Sequence, residues 1–211
     1  MIPVKVLAVQ YLSAVTPAMG KALGTDAPCL GLITTDSDDP TYIALDQATK
    51  DAQVSVCYGR CFYAGAANAS TPYAGEVVGS LAGPTPGAVR SGMESALSEL
   101  QRVGFEEVNG VPCLAHTVSR CGSFLSKEAG VPEGSPIAYL IAPPLESMYA
   151  LDAALKAADV KLCKLYAPPT DTNFGGGLLT GTQSACAAAC AAFRDAVAEV
   201  AGNPNKERHY G

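Results

Sequence analysis

The chain contains an internal repeat, and this feature constrains its fold more than any other. The thirteen residues that begin at Leu45 align without a gap on the thirteen that begin at Leu151, at an offset of 106. Each copy predicts a short helix with the pattern Leu-Asp-x-Ala-x-Lys, followed by a strand. In the first strand Val54 and Val56 face one side at a period of two, as apolar residues do along a half-buried strand. One structural unit therefore occurs twice in the 211 residues.

A second pair of matching segments extends the repeat towards the end of each half. Residues 95–100 match residues 195–200 at an offset of 100, after a shorter connection in the second half. The apolar residues that follow this offset are Met93, Leu97 and Leu100 in the first half and Phe193, Val197 and Val200 in the second. Their i, i+4, i+7 spacing predicts an amphipathic helix that packs on a sheet.

The order of apolar segments predicts the fold class. Each half reads strand, helix, strand, helix, strand, loop, strand, helix, with Leu30–Ile33 and Ala138–Ile141 as matching early strands. Strands and helices that alternate at this length predict an α+β fold, an α/β sandwich with helices on one face of a sheet. The turn signal at residues 108–110 divides the chain into a predicted first domain, 1–107, and second domain, 108–211.

The composition favours an oligomer and argues against several kinds of partner. Charged residues form 16% of the chain, whereas an average soluble domain has roughly 25%. Because obligate interfaces are poor in charge, other subunits are expected to cover much of the surface. A net charge of -6 argues against nucleic-acid binding. No apolar run is long enough to span a membrane and no signal peptide is visible, so a cytoplasmic protein is expected.

No catalytic constellation can be assembled from the sequence. His116 and His209 are the only histidines, and the eight cysteines occupy positions typical of packing residues. The glycines at 175–177 precede a helix but lack the lysine of a phosphate-binding loop. The acidic run at 36–39 lacks the glycine and glutamate of a calcium-binding loop. We therefore expect no enzyme, no catalytic residue and no required cofactor.

Two long segments of small residues are the places where the repeats diverge. They begin at Gly59 in the first half and at Tyr166 in the second. Loops of this kind between repeated elements are usually functional or disordered. They are the first candidates for functional sites.

Motifs along almost the whole chain, from about Val4 to Pro204, resemble the EutL family of bacterial microcompartment shell proteins. The motifs that carry this resemblance are LGLITTDSDD from Leu30, YGR from Tyr58, YAGAA from Tyr63, TVSR from Thr117, APPLE from Ala142 and LTGTQSAC from Leu179. The resemblance implies two tandem, circularly permuted microcompartment domains, each a small, mainly antiparallel sheet flanked by helices. It also implies a homotrimer that forms a pseudohexameric tile and assembles with other shell proteins.

The resemblance further implies that the two divergent loops gate a central pore, one spanning 62–73 and the other 171–181. Glycines permit several backbone states and aromatic rings can plug an opening. The residues expected to gate the pore are Phe62, Tyr63, Tyr73, Asn173, Phe174, Gly175, Gly176 and Gly177. Bulky cofactors such as adenosylcobalamin, coenzyme A or nicotinamide nucleotides are candidates for passage.

The EutL family is also associated with binding ethanolamine. At pH 7 ethanolamine is an ammonium with a hydroxyl, so its site needs carboxylates and an aromatic or backbone neighbour. The positions implied by the resemblance are Asp38 and Glu76, with Phe105 as a wall and Asp39 and Thr172 as neighbours. Whether a metal binds at the threefold axis stays open.

Two functions from different classes fit these observations. The first is a structural shell protein of the ethanolamine-utilisation microcompartment with a gated pore. The alternative is a soluble tandem sensor of a small metabolite. The low charge content favours the shell protein, because a shell protein needs covered edges and a sensor remains a discrete particle.

Overall fold

A computed structural model of the chain describes residues 1–62, 76–168 and 170–205. The strands are β1 (Val6–Leu12), β2 (Cys29–Thr35), β3 (Ser55–Phe62), β4 (Glu76–Gly83), β5 (Glu106–Val108), β6 (Val111–Val118), β7 (Ile137–Ala142), β8 (Val160–Tyr166) and β9 (Gly175–Gly181). The helices are α1 (Pro17–Ala22), α2 (Asp38–Asp51), α3 (Pro86–Glu99), α4 (Ser123–Ala129), α5 (Pro144–Ala157) and α6 (Gln183–Gly202). Among the described helices none is long and apolar enough to span a membrane.

The strands form two antiparallel sheets with the same internal order. One sheet runs β1-β2-β4-β3, and the other runs β6-β7-β9-β8 with the short β5 added beside β6. The predicted order of elements is confirmed in both halves. Strand β5 turns into β6 through Asn109 and Gly110, which have φ angles of 48° and 84°. Positive φ at both turn residues is what a tight two-residue hairpin requires.

Two helices cover one face of each sheet, as predicted. Helices α2 and α3 pack on the first sheet, and α5 and α6 pack on the second. The first core contains Ile33, Leu45, Leu81 and Met93. The second core contains Leu140, Ala150, Leu151, Leu179 and Phe193. Each core forms because the apolar face of a strand and the apolar stripe of a helix must be buried against each other.

The predicted alignment of the last helices is wrong by three residues. Thr85 and Thr182 are the N-cap residues of α3 and α6, and each hydroxyl accepts a hydrogen bond of 3.1 Å from the backbone N–H three residues later. These caps place equivalent positions 97 residues apart, so the buried Met93 corresponds to Cys190 and not to Phe193. Three residues are nearly one helical turn, and an apolar stripe therefore matches itself at either offset.

The chain divides into two compact units. The N-terminal unit comprises Pro3–Gly104 and Cys121–Glu128, and the C-terminal unit comprises Met1–Ile2, Phe105–Arg120 and the chain from Ala129 onward. Almost all of α4 therefore belongs to the N-terminal unit, although its sequence lies in the second repeat. The domain division into 1–107 and 108–211 stays a prediction from the repeat.

Candidate functional site

An acidic turn joins β2 to α2 in the N-terminal unit. Asp38 and Asp39 form the first turn of α2, where the helix dipole favours negative charge, and both are buried. The hydroxyl groups of Thr35 and Thr41 hold this turn by donating hydrogen bonds of 2.9 and 2.7 Å to the carbonyl oxygen of Ser37. The two predicted carboxylates are therefore held on an ordered scaffold.

Glu76 extends this acidic region across the sheet. Strands β2 and β4 are antiparallel with Thr35 opposite Val77, so Glu76 lies beside Asp36 at the same edge. Burial raises the pKa of Asp36, the N–H of Lys5 opposes this by donating a 2.8 Å hydrogen bond, and the charge of Glu76 raises the pKa further. The structure thus brings the predicted Asp38, Asp39 and Glu76 to one edge of the N-terminal unit.

Asp36 is a member of this edge that the ligand prediction omitted. It belongs to the acidic run 36–39, from which only Asp38 and Asp39 were predicted as ligands. The sequence signal that could have identified Asp36 is its position directly after a buried strand. Residues at neighbouring strand ends lie close together in a sheet. No group of three or more histidine, cysteine or acidic residues among the described residues is arranged to hold a metal ion.

Phe105 and Thr172 lie in the C-terminal unit. Phe105 is buried, and its ring centroid lies 5.5 Å from that of Phe174. The Thr170 hydroxyl group lies 2.8 Å from the carbonyl oxygens of Thr172 and Phe174, and the Thr172 hydroxyl accepts a 3.2 Å hydrogen bond from the N–H of Phe174. These bonds order the chain before β9. That the five residues form one ligand site stays a prediction.

The described residues of the two predicted pore loops differ in their exposure. Phe62 ends β3 and is partly exposed, and Asn173 lies in the connection before β9. Tyr63 and Tyr73 lie outside the described residues. Phe174 is 6% exposed and packs on Phe105, so its ring is part of the interior of the C-terminal unit.

The prediction that residues 175–181 belong to a loop is wrong, because they form β9. Gly175, Gly176 and Gly177 are buried and pair with β7 and β8. A Cβ atom on Gly177 would lie 2.5 Å from the carbonyl oxygen of Lys164, and one on Gly176 would overlap the carbonyl oxygen of Leu140. The glycines therefore allow neighbouring backbones to approach closely, and Gly176 also has a φ of 154°, which other residues rarely adopt.

The cysteines are free thiols, and five of the eight are buried. Burial raises the pKa of Cys113 to about 12 and that of Cys190 to about 11. A thiol is nucleophilic as the thiolate, so these groups are inert at neutral pH. Their surroundings fit the packing role that the sequence predicted.

A buried carboxylate of α2 binds the start of α4 within the N-terminal unit. Asp46 has no exposed surface, and its two oxygens accept hydrogen bonds of 2.7 and 2.8 Å from the N–H groups of Gly122 and Leu125. Thr49 accepts a third bond, of 3.1 Å, from the N–H of Ser123. The first N–H groups of a helix have no partner within it, so these acceptors dock α4 on α2. From the sequence, Asp46 was recognisable only as part of the repeated pattern.

Comparison with known proteins identifies the family. A model of the BMC domain matches residues 29–112. The Bacterial microcompartment shell protein EutL of Clostridium perfringens is 58% identical over 205 residues, which cover 94% of each chain. The EutL of Escherichia coli is 53% identical over 179 residues, 83% of this chain and 82% of the relative.

A solved structure gives the same result. The monoclinic crystal structure of EutL from Clostridium perfringens is 56% identical, with a TM-score of 0.92 over 99% of this chain and 98% of that chain. Sequence and fold thus agree over nearly the full length. The chain belongs to the EutL family of bacterial microcompartment shell proteins.

Proposed function

We propose that three copies of this shell protein form a pseudohexameric tile of the ethanolamine-utilisation microcompartment. The observation that carries this proposal is the matching strand order of the two sheets, β1-β2-β4-β3 and β6-β7-β9-β8. Two similar units per chain supply six similar positions from three chains, and such a ring closes by rotational symmetry. Other shell proteins of the cytoplasmic compartment would meet the edges of the tile.

The distribution of exposed apolar side chains supports assembly. The larger ones on regular elements include Leu7, Tyr11 and Leu12 on β1, Met19 on α1, Leu145, Met148 and Tyr149 on α5, and Leu162 and Leu165 on β8. Large apolar side chains that are exposed together on one element, such as the three on α5, favour an interface with another protein. A soluble sensor, the alternative function, has no use for exposed apolar side chains on so many separate elements.

We assign the pore to the segments after β3 and before β9, and give the chain no catalytic role and no resident cofactor. Phe62 is the exposed aromatic residue at the end of β3. Loop closure over a pore would control passage of bulky cofactors such as adenosylcobalamin. In the segment before β9, Asn173 is the residue for which we propose a gating role.

The acidic edge of the N-terminal unit is the proposed site for ethanolamine. An ammonium group needs carboxylates, and Asp38, Asp39 and Glu76 supply them, with Asp36 beside Glu76. Phe105 and Thr172 stay proposed neighbours of the ligand. The burial of Asp38 and Asp39 strengthens their attraction for a cation, because a lower dielectric screens charge less.

The first test is the mass in solution, with electron microscopy at high protein concentration. We expect three times the 21.5 kDa of one chain and extended flat arrays. Sedimentation equilibrium gives the mass independently of shape. A discrete monomer or dimer that forms no arrays at any concentration would favour the sensor instead.

Ethanolamine binding tests the acidic edge. Asp38→Asn removes the charge with little change of shape, and we expect the dissociation constant to rise about 10-fold or more, since hydrogen bonds to charged groups contribute about 1.5–3 kcal/mol. Isothermal titration calorimetry measures it. Asp195→Asn, on the exposed face of α6, is the matched control and should bind normally. Equal affinities of both variants for ethanolamine would exclude this edge as the site.

A further inference from the structure

The two helices that meet in the contact between α4 and α2 each have a counterpart elsewhere in the chain. Helix α5 begins and ends 106 residues after α2, so their positions correspond one to one. Helices α1 and α4 correspond at the same offset, and each is followed by a glycine with positive φ, 73° at Gly24 and 67° at Gly130. Helix α1 is therefore the counterpart of α4, and α5 is the counterpart of α2.

The positions that α4 covers on the N-terminal unit are exposed at their counterparts on the C-terminal unit. The Asp46 side chain has 0% exposure, whereas that of Asp152 has 64%. Tyr42 packs against Phe124 with ring centroids 6.0 Å apart, whereas its counterpart Met148 is 55% exposed. The surface that would receive a helix is thus present on the C-terminal unit and uncovered.

Helix α1 is uncovered in the same sense. Met19, the counterpart of Leu125, is 45% exposed, whereas Leu125 is buried. Ala18, the counterpart of Phe124, is also exposed. The Thr16 side chain makes no capping hydrogen bond to the first turn of α1. An exposed short helix with an apolar side chain fits a docking element better than an isolated surface helix.

The large and small residues of the Phe124 and Gly59 pair are exchanged in the corresponding pair, Ala18 and Leu165. This exchange makes the exposed surface around Leu165 complementary in size to α1. In the N-terminal unit the large Phe124 lies over the small Gly59, where an added Cβ atom would be 3.8 Å from the ring. At the same offset the small Ala18 replaces Phe124 and the large Leu165, 47% exposed, replaces Gly59. If α1 docked as α4 does, Ala18 would lie over Leu165, and a small residue would again meet a large one, as dense packing requires.

We propose that α1 of one copy docks on the surface formed by Met148, Asp152, Leu162 and Leu165 of a second copy. The contact repeats the docking of α4 on α2 and β3, with Asp152 facing the N–H groups of Thr16 and Met19. Each copy offers one helix and one receiving surface, so the contact is head-to-tail and builds a ring. The inference rests on the proposed trimer, for which it supplies the interface.

Substitutions that exchange the sizes of residues 18 and 165 test this interface. Ala18→Phe places a ring against Leu165 of the second copy, and we expect the dissociation constant for assembly to rise about 10-fold or more, the effect of overpacking. Adding Leu165→Gly recreates the Phe124 and Gly59 pair and should restore most of the affinity. Sedimentation equilibrium over a range of concentrations measures both variants. Ala187→Phe, on the exposed face of α6, is the matched control and should assemble normally.

The outcomes separate this interface from the trimer itself. All three substituted positions are exposed in one chain, so unchanged circular dichroism is expected for every variant. A wild-type trimer that Ala18→Phe leaves intact would overturn the interface and leave the trimer standing. Failure of the double variant to recover would overturn the size complementarity on which the inference depends. A wild-type protein that is no trimer would overturn both proposals.

Discussion

Replacing Gly176 with alanine is expected to lower the free energy of unfolding by about 3 kcal/mol or more, the upper range for overpacking a close contact. The added Cβ atom would overlap the carbonyl oxygen of Leu140 and lie 2.9 Å from the Cα atom of Ile141. Both obstacles are backbone atoms of β7, so no rotation of a side chain can relieve the clash. The central strands β7 and β9 must move apart, and their hydrogen bonds lengthen.

Urea unfolding measures this effect, and Gly87→Ala is its matched control. Gly87 lies in the first turn of α3, where an added Cβ atom would meet only the Thr85 hydroxyl oxygen at 3.9 Å. Alanine there should stabilise the protein by about 0.4–1 kcal/mol, because it restricts the unfolded chain. All variants need the same protein concentration, since assembly adds to stability. A Gly176→Ala variant as stable as wild type would contradict the close packing of β9 against β7.

Asp46→Ala is expected to lower the free energy of unfolding by a similar amount, about 3 kcal/mol. The substitution removes the acceptor of two N–H groups at the start of α4 and leaves them buried, at about 1–3 kcal/mol for each unsatisfied group. It also leaves Lys50, 3.7 Å away, without this carboxylate. The loss should be local first, because α4 is short and depends on this contact.

Asp152→Ala is the matched control at the corresponding position. Asp152 is exposed and pairs within α5 with Lys156, and exposed pairs of this kind contribute about 0.3–0.5 kcal/mol. Hydrogen exchange distinguishes the variants: residues 123–128 should lose protection in Asp46→Ala and keep it in Asp152→Ala. The Ala18→Phe background, in which assembly is weakened, isolates the stability of the single chain. Equal losses in the two variants would contradict the difference in burial.

Much of the fold followed from local sequence patterns. The repeated Leu-Asp-x-Ala-x-Lys segment predicted both α2 and α5, and the turn signal at 108–110 predicted the turn that the structure places between β5 and β6. The apolar stripe predicted α3 and α6, but it could not distinguish offsets that differ by one helical turn.

The sequence by itself determined that one α+β unit occurs twice, because hydrophobic periodicity and turn chemistry act over short stretches of chain. The tertiary structure alone decided how identical residue types are used in each place. Gly175, Gly176 and Gly177 allow close strand contact instead of loop mobility, since the neighbouring backbones come from β7 and β8. Asp46 and Asp152 share one motif, yet only Asp46 is buried, because α4 covers it. Burial depends on residues distant in the chain, and no local pattern records them.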